Sequence, residues 1–180
     1  LADLTGKKVA VLVDNYFEEA EFTGPIDALR EVGATVEVIA SGPKDGQVQS
    51  MNHIDKSRRF PIDKTLEEAD IDDYDALVLP GGAINVDQLR MEYKARQWVR
   101  SMTSQKKPLA MICHAPWVLV SAGLAKSRRL TSFFTIQDDL RDAGAEWVDE
   151  EVVVDGNIIT SRKPDDVPAF SQTLISMMAN

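Results

Sequence analysis

The chain is 180 residues long, 44% hydrophobic and 27% charged, which excludes a disordered tract and fits one domain over residues 1–180. Its formal net charge of -9 leaves no general basic surface for a phosphate backbone, so a nucleic-acid partner is not expected; the runs KSRRF (56–60) and KSRRL (126–130) read as solvated surface. A single cysteine rules out an internal disulfide, and no leader or long apolar span precedes the first strand, so the expected compartment is the cytoplasm, with no membrane partner.

KKVAVLV (7–13) is a valine-rich apolar run, the pattern of a parallel strand buried on both faces. After the loop DNYFEE, the stretch from Ala20 to Val32 places Phe22, Ile26, Leu29 and Val32 at helical spacing, and Gly33 supplies a stop. ATVEVIA (34–40) is the second strand. The irregular section that follows, from Ser41 to Asp63, carries glycine turns and short alternating pieces that suggest a small antiparallel excursion. DYDALVLPGG (73–82) runs a buried strand into a glycine-rich loop, and Val86 to Met102 reads as one helix. KPLAMI (107–112) is a third buried strand, with Pro116 where a first helical turn tolerates it. IQDDLRDAG is helical, VVVDGNIIT is a hairpin around Asp155 and Gly156, and a closing amphipathic helix runs from about Val167 to Met178. Such alternation argues for an open α/β sheet covered on both faces.

In open parallel sheets the ligand site lies beyond the carboxyl ends of the strands. Three loops leave such ends: DNYFEE, PGGAINVD and CHAP. Together they carry Glu18, Glu19, Asp87, Cys113 and His114. Cys113 follows LAMI without a spacer and must turn sharply into a helix, as a nucleophile elbow does. At a helix N-terminus the macrodipole and nearby amides favour the thiolate; the plainer alternative is a small buried hydrophobe. His114 is adjacent, but neighbouring side chains commonly point apart, so adjacency does not make the two a dyad. The His114 amide and that of Gly82 are candidate oxyanion donors. Glu18 or Glu19, if either projects onto Cys113, can stay protonated against the thiolate, although each also suits the mouth of a helix. Asp87 suits the orientation of an imidazole, or a helix cap. His53 reads as a turn residue. Two histidines and one cysteine are a poor set for a metal, and PGGAIN lacks the spacing of a phosphate or dinucleotide loop.

FEEAEFTGPIDALREVGATVEV, DYDALVLPGG, ICHAPWVLVSAGL and DDLRDAGAEWVDEEVVVDGNIITSRKPDDVPAF cover nearly the whole chain. In this combination the sequence resembles the PfpI/ThiJ superfamily, and within it the intracellular protease I-like branch with its stress-response and deglycase relatives. The resemblance implies a flavodoxin-like three-layer sandwich, with a mostly parallel central sheet and helices on both faces. It implies a glutamate from the first loop against the cysteine, matched by Glu18 rather than Glu19. It further implies that the histidine after the cysteine, here His114, is oriented by an acid from a neighbouring subunit, for which Asp87 is the match. The site would then lie at an interface of a homodimer or higher homo-oligomer. Departures are Ala115 where glycine is common, a longer loop before Asp87, and Phe134 where relatives often carry proline at a pocket wall.

The expected activity is that of a cofactor-independent cysteine enzyme acting on a carbonyl: a 2-oxoaldehyde, a glycated adduct or a peptide. Cys113 attacks, Glu18 tunes its proton, His114 with Asp87 serves as acid or base, and the Gly82 and His114 amides hold the oxyanion. The alternative is an oxidative-stress sensor or holdase, in which Cys113 reaches the sulfinic acid beside Glu18, there being no second cysteine to close a disulfide.

Overall fold

The computed structural model describes residues 2–42 and 45–180; Pro43 and Lys44 of the irregular section, and Leu1, lie outside the described residues. In chain order the first half runs β1 (Lys8–Val13), β2 (Phe17–Glu18), α1 (Glu19–Glu31), β3 (Thr35–Ala40), β4 (Gln47–Asn52), β5 (Asp55–Pro61), β6 (Lys64–Thr65) and β7 (Ala76–Leu79). Then come α2 (Ala83–Leu89), α3 (Tyr93–Ser104), β8 (Leu109–Ile112), α4 (Trp117–Ser121), β9 (Arg129–Leu130) and α5 (Gln137–Asp142). The chain closes with β10 (Glu146–Trp147), β11 (Val152–Asp155), β12 (Ile158–Ser161) and α6 (Val167–Ala179).

Seven strands form the central sheet in the order β11-β12-β8-β7-β1-β3-β6, parallel except where β11 pairs with β12 as a hairpin. The two-residue period of a strand explains how one run of apolar residues serves two cores. Ala10 and Leu12, Leu77 and Leu79, Leu109 and Met111 face a core covered by α2, α3, α4 and α5. Val9, Val11 and Val13, Ala76 and Val78, Ala110 and Ile112 face the other, covered by α1 and α6. This is the flavodoxin-like sandwich.

The antiparallel excursion is the β4–β5 hairpin, with β2 joining β4 in a second small sheet. The expected helix from Val86 to Met102 is instead two, because the chain turns at Arg90 to Glu92 and Glu92 is extended. Arg90 accounts for the break. Its guanidinium stacks on Trp117 at 5.0 Å and donates to Ser121 Oγ at 2.9 Å, while its carbonyl accepts from Arg96 Nη1. Both basic runs end in surface ion pairs, Arg58 with Glu19 and Arg59 with Asp45, Arg129 with Glu150 and Arg128 with Asp155. No helix among the described residues is long and apolar enough to cross a membrane.

Candidate active site

The strands β8, β7 and β1 are neighbours, so the three chemistry-bearing loops converge at their carboxyl ends. Cys113 leaves β8, whose four residues are fully buried, and takes φ +65, a left-handed conformation that is costly for a side chain with a Cβ. Two hydrogen bonds hold it there: its N–H donates to the Ser161 carbonyl at 3.0 Å, and its carbonyl accepts from the Phe133 N–H at 2.8 Å. The elbow is thus clamped by the ends of β12 and of the loop after β9.

The PGG loop is glycine for reasons that can be measured. A Cβ on Gly81 would stand 2.5 Å from both Cys113 Cβ and Glu21 Oε1. Gly82 has φ +90, and a Cβ there would meet the Tyr16 carbonyl at 2.7 Å. Its bare backbone lets the Gly82 amide, with that of His114, point at the Cys113 sulfur. These are the two amides expected to serve as oxyanion donors.

The carboxyl against Cys113 is Glu21, which corrects the expectation of Glu18. Glu18 ends β2 before the helix begins, and its carboxylate turns outward to accept from the His53 N–H at 3.2 and 3.3 Å. Glu21 lies in the first turn of α1 on its inward face and is fully buried. Oε1 accepts from the Gly81 N–H at 2.9 Å, and Oε2 has no hydrogen-bond partner among the described residues. Burial, then the charge of Glu18, push its pKa up to about 8 against the pull of the Gly81 amide and the Cys113 thiol, so it keeps its proton at neutral pH. Glu19 belongs to neither task. Its carboxylate, partly buried, is held below its ordinary value by Ser57, Ser50 and Arg58 of the hairpin.

The thiolate expected from the macrodipole is overridden. Burial pushes the Cys113 thiol up, as does the Glu21 carboxylate once it ionises, and the Gly82 and His114 amides offset this in part. Helix α4 begins at Trp117, beyond an intervening turn, and is five residues long, too short and too far along the chain to do more. The resting sulfur therefore holds its proton.

Adjacency does bring the histidine to the cysteine, against expectation: His114 Nδ1 lies 3.2 Å from Cys113 Sγ. The left-handed turn folds the next side chain back over the sulfur. The ring stacks on Phe133 at 5.1 Å and meets the edge of Trp117 at 5.1 Å, and burial lowers its pKa, keeping the imidazole neutral. Nε2 stands 3.5 Å from Thr135 Oγ1; in the tautomer with its proton on Nε2, Nδ1 is free to accept from sulfur. Asp87 is exposed on α2, is not among the residues lining the cleft, and makes no hydrogen bond to His114 of its own chain among the described residues.

The site opens into a cleft of about 470 Å³, walled by Tyr16, Met51, Ile54, Ile84, Phe133 and Pro164, with Glu18 and His53 at its mouth. His53 is a hairpin-turn residue, with φ +57, and also lines the cleft. Phe133 supplies the wall; Phe134 is exposed and outside it. No cluster of three His, Cys, Asp or Glu side chains suited to a metal ion occurs among the described residues.

Residues 7–177 match the DJ-1/PfpI family. A deglycase PfpI from Pyrococcus furiosus is 40% identical over 171 residues, covering 95% of this chain and 99% of that protein. General stress protein 18 of Bacillus subtilis is 34% identical over 174 residues, covering 96% of this chain and 98% of its own. The structure of DJ-1beta from Drosophila melanogaster superposes with a TM-score of 0.86 at 30% identity, covering 96% of this chain and 90% of that one.

Proposed function

Since the chain belongs to the DJ-1/PfpI family, we propose that it is a stress-response cysteine enzyme, deglycase/glyoxalase-like or peptidase-like, that attacks carbonyl compounds through Cys113 without a cofactor. One observation carries this reading: Cys113 sits at a strained elbow with a histidine nitrogen, two backbone amides and a protonated carboxyl all directed at its sulfur. In the first step the sulfur electron pair forms the C–S bond, the carbonyl π pair moves onto oxygen, and the thiol proton passes to His114 Nδ1. The alkoxide takes the Gly82 and His114 amides, and the Glu21 carboxyl, neutral as it is, adds no repelling charge beside it. Aldehyde adducts and peptides share this step.

We further propose that the protein is a homo-oligomer in which Asp87 of one copy faces His114 of another. Ile84, 55% exposed, and Ile54, 89% exposed, rim the same mouth and favour a covered face. The activity test is incubation with methylglyoxal, with a glycated amine or thiol, and with peptides. Turnover of at least one is expected, and Cys113→Ala is expected to abolish it; no turnover of any would overturn the enzymatic reading. A second reading, oxidation of Cys113 to a sulfinic acid, is favoured by the buried Glu21 carboxyl against Cys113, whose Oε2 has no hydrogen-bond partner among the described residues. Intact mass after graded peroxide is then expected to show a stable gain of two oxygens that Glu21→Ala prevents.

A further inference from the structure

The amide of Cys113 depends on a part of the molecule that the proposed chemistry does not use. Strand β12 ends at Ser161, whose carbonyl accepts the Cys113 N–H at 3.0 Å. The next residue, Arg162, is tied to Asp166 three times over. Its backbone N–H and its Nε both donate to Oδ2 at 2.9 Å, and Nη2 donates to Oδ1 at 3.0 Å. The remaining Nη1 donates to Asp149 at 2.8 Å. Asp166 is 1% exposed and stands at the N-cap of α6, yet its side chain does not cap that helix. Both of its oxygens serve Arg162 instead. A planar fork on a buried carboxylate fixes direction as well as charge.

Helix α6, which follows Asp166, packs on α1, which carries Glu21. The Asp166 charge adds to the proton affinity of Glu21. The other titratable groups lining the cleft with Glu21 and Cys113 are Tyr16 from the loop before β2, Glu18 from β2, His53 from the β4–β5 turn and His114 from the elbow; no lysine or arginine lines the cleft among the described residues. Arg162 follows the Ser161 carbonyl that holds the Cys113 amide and is the cation paired with Asp166.

We propose that Arg162 and Asp166 are positioning residues for Cys113: their clasp holds the Ser161 carbonyl against the cysteine amide and neutralises a buried anion beside the Glu21–Cys113 pair. The proposal rests on Cys113 being the reactive group, as in the enzymatic reading, but not on its substrate. Its test is accordingly independent of turnover: the rate of Cys113 alkylation by iodoacetamide against pH, measured on the folded full chain.

Arg162→Met leaves Asp166 uncompensated and is expected to raise the midpoint of the alkylation profile by roughly half to one pH unit. Asp166→Asn removes the anion and is expected to lower it by a similar amount. The double variant Arg162→Met/Asp166→Asn is expected to return close to the wild-type midpoint. Arg162→Lys keeps the charge but not the fork, and is expected to hold the midpoint while the limiting rate changes several-fold. A purely structural role predicts changes of the same sign in both single variants. The same sign in both, or no shift in either with thermal melts confirming the fold, would overturn the proposal. Should Arg162→Met fail to fold, Asp166→Asn and Arg162→Lys carry the test: an unmoved midpoint in Asp166→Asn is sufficient to reject it.

Discussion

Glu21 is an acid on an apolar stripe, four residues before Pro25 and eight before Leu29, all three buried in α1. That periodicity was visible in the sequence and is the signal that separates Glu21 from Glu18 and Glu19; reading the loop by its proximity to the strand end passes over it. The cysteine contact of His114 was not visible, because it depends on the sign of one φ angle. The burial of Glu21 has a measurable cost. Its folded pKa of about 8 exceeds its ordinary 4.5, so the folded state binds the extra proton. The Glu21 contribution to stability is then fully present below about 4.5 and is lost as pH rises towards about 8, by an amount on the order of a few kcal/mol. Glu21→Gln, neutral at every pH, is expected to lose this dependence, melting increasingly above wild type as pH rises from 5 to 8. Equal melting differences at pH 5 and pH 8 would contradict the assignment. In turnover the same variant is expected to retain activity and to lose the alkaline limb near pH 8, whereas Glu21→Ala loses about tenfold or more.

At the scale of elements, the three apolar strands, the terminal hairpin and both long covering helices were legible because buried strands and amphipathic helices have distinct periods. The break between α2 and α3 was not, since it comes from Arg90 bonding to groups on α4, a tertiary competition that local spacing does not encode. The contact between α1 and α6 offers a sharper test of packing. A Cβ on Gly24 would lie 2.4 Å from Val167 Cγ1. Gly24→Ala is expected to destabilise by about 1–3 kcal/mol through overpacking, even though alanine is the better helix former. Val167→Ala in the same chain is expected to restore most of the loss in urea unfolding; simple additivity of the two changes would refute the clash.

For the whole molecule, the proposed role of Asp87 requires a second copy of the chain. Co-refolded Cys113→Ala and Asp87→Ala chains are expected to regain a measurable part of the activity that each lacks alone, because one mixed site then contains both residues. No recovery in mixed oligomers would place Asp87 outside the site. The elbow itself has a kinetic consequence. The Gly81–Glu21 bond closes 60 residues of chain, and the Cys113 amide bonds to Ser161 on a strand that is among the last to be made. Contacts so distant in sequence form late and slowly. A chain emerging from the ribosome therefore carries an unshielded sulfur until β12 docks, and a pulse of chromogenic disulfide reagent during refolding should find it accessible until tryptophan fluorescence has nearly reached its native value.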